Sequence, residues 1–269
     1  MTRSAAAQAE EGLDLGGGFR YVQRAGDDAI LPPRLALGCE TLMSTARVNA
    51  RDESVVMEWA TRWGLGSVKM VYRCHQEHGA HIVRAGELAA APGAPDEARP
   101  KGDGLWTDRK DVALFVSAAD CAPVWIADGG GARLALVHAG WRGIEAGVVA
   151  AAIAALRGAG SDSASLALAV GPHLQQCCFE VGPEVAQRFA AVPGAVAQAA
   201  ALRVDRRRND SVALNLGSVI RSQCVAAGLA EHQLHLSTAC TRCNPELLHS
   251  YRRNGTGGPL MAALGVLRA

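Results

Sequence analysis

Three short apolar runs between residues 112 and 137 constrain the fold of this chain more than any other feature. Val112–Ser117 and Pro123–Ala127 are rich in β-branched and large apolar side chains, which is typical of buried strands. Asp128–Gly131 has the turn sequence DGGG, and the apolar run Arg133–Val137 follows it. The last two runs therefore predict a β-hairpin whose strands lie in the core of a sheet.

Helical patterns alternate with further strands along the rest of the chain. Apolar residues recur at near-helical spacing after Gly143, and Gly158 and Gly228 are positioned to end helices. This mixture predicts an α+β or mixed α/β fold instead of a purely parallel sheet. Strands are predicted over Leu166–Val170, His235–Cys240 and Leu260–Leu267, and helices after Gly143, over Pro183–Ala191 and over Leu214–Ala227.

Two segments have the composition of irregular structure. Residues 1–19 are rich in Ala, Gln, Glu and Gly and end in three consecutive glycines, which predicts a disordered N-terminal arm. Residues 89–102 read AAAPGAPDEARPKG, and three prolines predict a surface loop without a regular element. We expect residues 20–269 to form a single domain, because the candidate site residues lie on both sides of this loop.

The balance of charge excludes some classes of partner. The chain has 27 basic and 26 acidic residues and a formal net charge of +1, so charge favours neither a nucleic-acid partner nor a membrane surface. No secretory signal or long apolar segment is evident, which predicts a cytoplasmic protein acting on a small molecule. In that reducing compartment, the eight cysteines are expected to be buried, reactive or metal-binding, and not disulfide-bonded.

Reactive residues stand beside turn residues in three segments, HQEHG at residues 75–79, ADCAP at 119–123 and HAGWRG at 138–143. The predicted hairpin can bring Cys121 and His138 together. With His78 they form a donor set that suits zinc or copper and leaves a position open for water or substrate. The same residues could instead form a nucleophilic Cys–His pair, and the sequence alone does not separate the two.

Four further residues are candidates for contacts around that site. Asp103, between Gly102 and Gly104, is either a turn residue or a carboxylate directed into the site. Arg142 stands at a predicted helix start, where an anion is favoured, and Tyr251 and Arg252 could supply a second anion contact.

Two cysteine motifs are not expected to carry chemistry. Cys240 and Cys243 form a CxxC, but no second CxxC or HxxxH stands near it in the sequence, so a zinc knuckle is not predicted. The pair Cys177–Cys178 is interpreted as packing.

Taken together, these motifs resemble the laccase-domain family, also called multicopper polyphenol oxidoreductases or YfiH-like purine nucleoside phosphorylases. Their order and spacing agree from about Gln76 to the C-terminus. The matching segments are Gln76–Gly79, Gly102–Gly104, Ala119–Val124, His138–Gly143, Gly171–Pro172, Cys178–Gly182, Cys240–Thr241 and Ser250–Arg253.

The resemblance implies a four-layer α/β/β/α sandwich of the YfiH-like type and one catalytic metal, usually zinc, held by His78, Cys121 and His138. It implies phosphorolysis of adenosine, inosine or methylthioadenosine, with adenosine deamination as a further activity. Copper-dependent oxidation of phenols is the alternative activity given for the family, with copper as the alternative metal.

The resemblance also suggests roles for individual residues. Arg142 and Arg252 are the candidates for binding phosphate, and Tyr251 for contacting substrate. Cys121 is a candidate catalytic residue as well as a ligand, and Asp103 or Asp120 is the candidate proton carrier.

The chain departs from the family pattern at three places. The usual Asn-Arg pair before the first histidine is not found, Gly257-Gly258 stands where Gly-Arg is common, and Leu214-Asn215-Leu216 replaces Leu-Asp-Leu. The loss of two arginines predicts weaker phosphate binding. A specialised or inactive member that acts on another small molecule is therefore a further alternative.

Overall fold

A computed structural model describes residues 12–24, 27–66, 68, 70–86, 95–110, 112–197 and 210–268. The strands are β1 Leu13–Asp14, β2 Arg20–Arg24, β3 Asp27–Leu31, β4 Cys39–Met43, β5 Met70–Tyr72, β6 Ile82–Arg84, β7 Gly104–Thr107, β8 Val112–Ala118, β9 Ala122–Asp128, β10 Leu134–Ala139, β11 Leu166–Val170, β12 Glu180–Val181, β13 Val196–Ala197, β14 Val212–Leu214, β15 Leu234–Leu236 and β16 Met261–Leu267. The α-helices are α1 Glu53–Ala60, α2 Trp141–Glu145, α3 Val148–Gly158, α4 Pro183–Arg188, α5 Leu216–Ala226 and α6 Tyr251–Asn254.

Two large mixed sheets organise these elements. The first has the strand order β1-β2-β3-β4-β16-β8-β5 and the second β15-β11-β9-β10-β7-β6, and a small third sheet has the order β12-β14-β13. Most neighbours are antiparallel, whereas β5 pairs parallel with β8, β6 with β7 and β15 with β11. The mixed α/β class predicted from the sequence is confirmed.

The predicted hairpin is confirmed as the pair β9 and β10, which are antiparallel with Leu134 opposite Ala127 and His138 opposite Pro123. Strand β8 lies in the first sheet and β9 in the second, so the chain crosses between the sheets at residues 119–121. All residues of β8, β9 and β10 are buried, as the unbroken apolar runs predict.

Alternating side chains of these strands enter different apolar cores. Leu114, Trp125 and Leu136 belong to the core in which residues of the two large sheets meet. Their neighbours Phe115 and Ile126 face the opposite way, because successive side chains of a strand point to opposite faces. Trp125 is fully buried, and its indole N–H donates to the Leu264 carbonyl in the first sheet (2.8 Å).

Helices cover the remaining apolar faces of the two sheets. Val56 and Trp59 of α1 pack with Phe115 of the first sheet, and Ile153 of α3 packs with Ile126 of the second. A four-layer α/β/β/α sandwich has the same sequence of helix–sheet, sheet–sheet and sheet–helix cores, but the complete layer arrangement stays a prediction. That residues 20–269 form one domain likewise stays a prediction.

The predicted disordered arm is wrong for residues 12–19, whereas residues 1–11 lie outside the described residues. Leu15 and Phe19 are buried in the core between the sheets. The Leu15 carbonyl accepts a hydrogen bond from the Thr238 N–H (3.0 Å). Gly17 has a φ of 61° and lies so close to Leu236 that a Cβ would be 2.3 Å from its carbonyl oxygen. The glycine run is therefore a tight turn that lets two apolar anchors reach the core.

Three other predicted elements differ in detail. The helix after Gly143 is two helices, α2 and α3, because Gly147 adopts a φ of 84° between them. The strand predicted over His235–Cys240 is only Leu234–Leu236, and Cys240 forms an isolated bridge with His173. The described part of the proline-rich loop contains one 3₁₀ turn, Asp96–Ala98.

Helices of the described residues are all too short or too polar to cross a bilayer. The cytoplasmic location stays a prediction from the sequence.

Phe19→Ala should lower the free energy of unfolding by about 3–5 kcal/mol, because it removes a fully buried ring that packs against Trp125. Leu13→Ala, at a residue that is 58% exposed, is the matched control and should change stability by less than about 0.5 kcal/mol. Urea unfolding of both variants measures the difference. Equal, small effects would show that residues 12–19 do not pack on the domain.

Candidate metal centre

Three side chains of the types that bind metals meet at one end of the second sheet. Cys121 lies in the connection between β8 and β9, and His138 lies in β10 opposite Pro123. His78 belongs to the connection between β5 and β6. The hairpin register thus brings Cys121 and His138 together, as predicted, and the β5–β6 connection adds His78.

The donor atoms of this cluster are close enough to share one ion. One ligand atom from each of His78, Cys121 and His138 lies within 4.8 Å of the other two. The Cys121 Sγ atom is 3.8 Å from His78 Nε2, and the two imidazole rings meet edge to face with centroids 4.9 Å apart. His138 is buried, Cys121 is half-buried and His78 is exposed, so the cluster opens on one side.

The Asp103 carboxylate orients two of the three candidate ligands. Its oxygens accept hydrogen bonds from the backbone N–H groups of Glu77 (3.1 Å), His78 (2.9 Å) and Gly79 (2.6 Å). The same carboxylate is 2.8 Å from His138 Nδ1, which leaves Nε2 of that ring for a metal. Asp103 is 1% exposed, so this network is shielded from water.

Two residues of the site have a left-handed backbone conformation, which is uncommon for residues other than glycine. His78 has a φ of 62° and Asp120 a φ of 89°. The hydrogen bonds to Asp103 stabilise the conformation of His78, whereas Asp120 is stabilised by hydrogen bonds to its own side chain. One Asp120 oxygen accepts from Thr241 Oγ1 (2.5 Å) and the other from the Arg252 N–H (2.7 Å). The strain falls at one proposed ligand, His78, and immediately before another, Cys121, where surrounding hydrogen bonds compensate for it.

Gly140 makes room for the cluster. A Cβ at this position would lie 2.8 Å from His78 Cδ2 and 3.0 Å from Cys121 Sγ. No side chain therefore fits between the β10 ligand and the start of α2 without displacing the ligands.

The electrostatics of the cluster favour a thiolate beside imidazole. Burial opposes ionisation of Cys121, but His138 and His78 outweigh it and lower the pKa of Cys121 to about 6. Burial also opposes protonation of His138, but Cys121 and Asp103 raise the pKa of His138 to about 9. For Asp103, burial is outweighed by hydrogen bonds from His138 and the backbone, which lower its pKa. A metal cation bound in place of the proton between Cys121 and the imidazoles would be stabilised by the same negative charges of Cys121 and Asp103.

This donor set fits zinc or copper. Two imidazoles and one thiolate are ligands that both metals accept, and three protein ligands leave a position open. The carboxylate behind His138 is the partner that metal-bound histidines commonly have. The presence of a possible metal site is thus supported by the geometry, whereas the identity of the metal is not specified by it.

A cavity of about 830 Å³ adjoins the cluster. Five arginines and three acidic residues contribute to its wall, so the wall has an excess of positive charge. It is lined by Ala50, Arg51, Glu53, Arg73, Cys74, Gln76, His78, Asp96, Arg99, Ser117, Ala118, Ala119, Asp120, Cys121, His138, Trp141, Arg142, Leu174, Phe179, Leu216, Tyr251, Arg252 and Leu260.

The three residues predicted to contact substrate all line this cavity. Arg142 is exposed at the start of α2, and its guanidinium lies 4.4 Å from the centroid of the Trp141 ring. Arg252 is partly buried, donates to the Glu180 carbonyl (3.0 Å) and lies 5.1 Å from the Phe179 ring centroid. Tyr251 is 54% exposed. Their roles toward substrate stay predictions.

The two carboxylates predicted as proton carriers are placed differently. Asp120 lines the cavity, whereas Asp103 does not, and both oxygens of each accept hydrogen bonds. This geometry favours a positioning role for both, and proton transfer by either stays a prediction.

Sequence reasoning missed several residues of the site. The Gln76 side chain pairs with the backbone N–H and carbonyl of Ser117 (both 2.9 Å), which fastens the His78 loop to the end of β8. Arg73 and Arg99 share the Glu53 carboxylate at 3.6 and 3.1 Å. The QxHG motif could have pointed to Gln76. The two arginines follow no motif, because only the fold brings them to the cavity.

One departure from the family pattern has a physical explanation. Asn215 replaces the common Asp and caps α5, since its side-chain oxygen accepts from the Ser218 N–H (3.0 Å). Asn and Asp are about equally good at this position. The cavity also retains Arg51, Arg73 and Arg99 although the Asn-Arg and Gly-Arg pairs are missing.

Comparison with known proteins gives consistent results. The sequence pattern of the family described as multi-copper polyphenol oxidoreductase laccase matches residues 40–267. A purine nucleoside phosphorylase of Streptomyces coelicolor is 31% identical over 247 residues, covering 91% of this chain and 93% of that protein. One from Synechocystis is 31% identical over 202 residues, covering 69% of this chain and 75% of that protein. The crystal structure of YlmD from Geobacillus stearothermophilus superimposes with a TM-score of 0.77 at 24% identity, covering 96% of this chain and all of that one.

Asp103→Asn should lower zinc affinity about 10- to 100-fold, because the amide cannot accept from three N–H groups and His138 as the carboxylate does. Competition with a chromogenic chelator measures the affinity. Asp128→Asn is the matched control, since Asp128 is a similarly buried carboxylate that binds Ser161 and Gly130 at the opposite end of β9. An unchanged affinity in a folded Asp103→Asn variant would refute the positioning role.

Proposed function

This chain belongs to the multi-copper polyphenol oxidoreductase laccase family, and we propose that it is a metal-dependent purine nucleoside phosphorylase. The reaction would convert adenosine, inosine or methylthioadenosine and phosphate to the free base and a pentose 1-phosphate. The observation that carries the proposal is one cavity that combines an open His-Cys-His cluster with arginines. The relatives named as purine nucleoside phosphorylases supply the reaction class.

We propose zinc as the metal, held by His78, Cys121 and His138. When bound, zinc would supply Lewis-acid chemistry at the open side of the cluster. The protein's own contribution is to hold the ligands in place, through Asp103 behind the two histidines and Gly140 beside the sulfur. Cys121 then serves as a ligand, and its lowered pKa favours the thiolate that a metal requires.

Arg142 is the strongest candidate for binding phosphate. Within the described part of the chain its guanidinium has no carboxylate or hydrogen-bond partner, and it stacks on Trp141 beside the cluster. A planar fork of donors held in this way can bind two phosphate oxygens. Arg252 lines the same cavity, where Phe179 and the Glu180 carbonyl orient it.

Aromatic rings on the cavity wall are suited to the base. Trp141, Phe179 and Tyr251 line the same cavity, and purines bind well to flat apolar surfaces. Phosphate attacks the anomeric carbon as the purine leaves, and positive charge develops on the sugar ring. Arginines that fix phosphate near that carbon would lower the entropic part of the barrier.

The cavity supports phosphorolysis better than the alternatives. Adenosine deamination needs a carboxyl group to move protons, but Glu53, Asp96 and Asp120 are each hydrogen-bonded or ion-paired within the described cavity wall. Phenol oxidation by several coppers needs a larger set of histidines. Among the described residues, the metal-type clusters are the His-Cys-His cluster and one group of four cysteines.

Zinc-loaded protein should release adenine or hypoxanthine from purine nucleosides only when phosphate is present. Base release from adenosine, inosine and methylthioadenosine, measured with and without phosphate, tests this directly. Cys121→Ala should abolish release because it removes a ligand, whereas Cys39→Ala, which removes a buried cysteine outside the cavity, should not. Release without phosphate, ammonia formation, or oxygen uptake by the copper form would each favour another activity.

Arg142→Ala should raise the KM for phosphate about 10- to 100-fold, because it removes a charge-assisted pair of hydrogen bonds. Arg157→Ala is the matched control, at an exposed arginine of α3 outside the cavity. Steady-state kinetics with phosphate as the varied substrate measures both. An unchanged KM for phosphate in Arg142→Ala would assign phosphate binding to other arginines.

A further inference from the structure

Four cysteines from two distant segments meet outside the His-Cys-His cluster. Cys177 and Cys178 lie between β11 and β12, and Cys240 and Cys243 follow β15. The sulfur atoms of all four lie within 4.8 Å of one another. The Sγ–Sγ distances are 3.4 Å between Cys178 and Cys243 and 3.8 Å from Cys177 to both Cys178 and Cys243.

These spacings match a tetrahedron of thiolates around one ion. Zinc binds thiolate sulfur at about 2.3 Å, which places the sulfurs of a tetrahedral site about 3.8 Å apart. Thiols that only pack in a core gain little from such a grouping, since S–H groups are weak donors and acceptors. Four soft ligands without an open position are typical of a structural zinc site and not of a catalytic one.

The surroundings of Cys240 supply what a metal-bound thiolate needs. The backbone N–H groups of Gln175, Arg242 and Cys243 stabilise the charged form of the Cys240 thiol and lower its pKa. Arg253 donates to the carbonyls of Thr241 (3.0 Å) and Arg242 (3.1 Å), so a cation also braces the loop that carries Cys240 and Cys243. Hydrogen bonds of this kind orient metal ligands and stabilise their charge.

The four cysteines lie next to residues that form and support the cavity wall. Cys178 immediately precedes Phe179, which lines the cavity and supports Arg252. Thr241, between Cys240 and Cys243, donates to the Asp120 carboxylate (2.5 Å). A link between the two segments would therefore fix one wall of the cavity from behind.

We propose that Cys177, Cys178, Cys240 and Cys243 form a second metal site, a structural zinc site that fastens the β11–β12 connection to the segment after β15. Neither the CxxC nor the Cys-Cys pair supplies four ligands alone, so neither motif predicted a metal site. The proposal does not depend on the activity at the first site.

The metal content of the full-length chain, purified under reducing and oxygen-free conditions, tests the proposal. The unmodified protein should hold about two zinc ions per chain, one for each cluster. Cys121→Ser should retain about one, and so should Cys240→Ser/Cys243→Ser, whereas combining all three substitutions should leave none. Cys39→Ala, which removes a buried cysteine outside both clusters, is the matched control and should keep the full content.

Cobalt gives a readout that does not depend on turnover or on the folding of the double variant. Co²⁺ added to metal-free Cys121→Ser protein should produce an intense thiolate-to-cobalt charge-transfer band and the strong visible bands of a tetrahedral complex. In the unmodified zinc protein, Cys243, which is exposed, should resist alkylation until a chelator is added. Peptide mapping measures the alkylation of Cys243, and buried Cys224 should stay unreactive with and without the chelator.

Three results would overturn the proposal. The first is Cys121→Ser protein without zinc and without the cobalt spectrum. The second is a disulfide among the four cysteines in protein kept reduced, since a disulfide pair cannot complete a four-thiolate site. The third is alkylation of Cys243 at the same rate before and after chelation.

Discussion

The buried Asp103 carboxylate is the interaction on which the geometry of the site depends. It accepts from three consecutive N–H groups of the His78 loop and binds His138 Nδ1, so one side chain sets the position of two ligands from different elements. The Asp103 carbonyl also accepts from the His138 N–H (2.7 Å), which fixes β7 to β10 at the same point. Because Asp103 is anionic, the network also favours a positively charged or metal-bound His138. These contacts favour a positioning role for Asp103, whereas proton transfer by its carboxylate stays a prediction.

The sequence was sufficient where an interaction follows from local pattern. Unbroken apolar runs and turn chemistry predicted the β9–β10 hairpin, and its register brings Cys121 to His138. Local sequence pattern gave wrong predictions where long-range packing determines the structure. The glycine run before Phe19 has the composition of a disordered arm, yet burial of Leu15 and Phe19 outweighs the conformational entropy of that segment. Arg73 and Arg99 reach the cavity only because β5 and the segment before β7 lie beside it.

The replaced family positions show how the chain keeps an arginine-rich cavity with a different set of residues. Asn215 caps α5 as an aspartate would, so that replacement preserves local structure. Arg73 and Arg99 are held by Glu53, so their charge is largely compensated. Arg142 has no such partner among the described residues, and the Trp141 ring rather than a carboxylate sets its orientation. An arginine held by an aromatic ring keeps its donors available for a ligand, which is why we propose Arg142, and not the arginines paired with Glu53, for phosphate binding.

The two cysteine-containing clusters differ in a way that their positions explain. The His-Cys-His cluster has three donors and an exposed histidine, so it faces the cavity with a position to spare. The four-cysteine cluster has a complete ligand set and lies behind the wall formed by Phe179 and Arg252. Asp120 joins them, since it precedes Cys121 in the chain and accepts from Thr241 within the CxxC. Its left-handed backbone needs such support. A metal-linked loop at Thr241 would restrain Asp120 and, through it, the neighbouring Cys121. The four-cysteine cluster can therefore stabilise the position of the His-Cys-His cluster without contacting substrate.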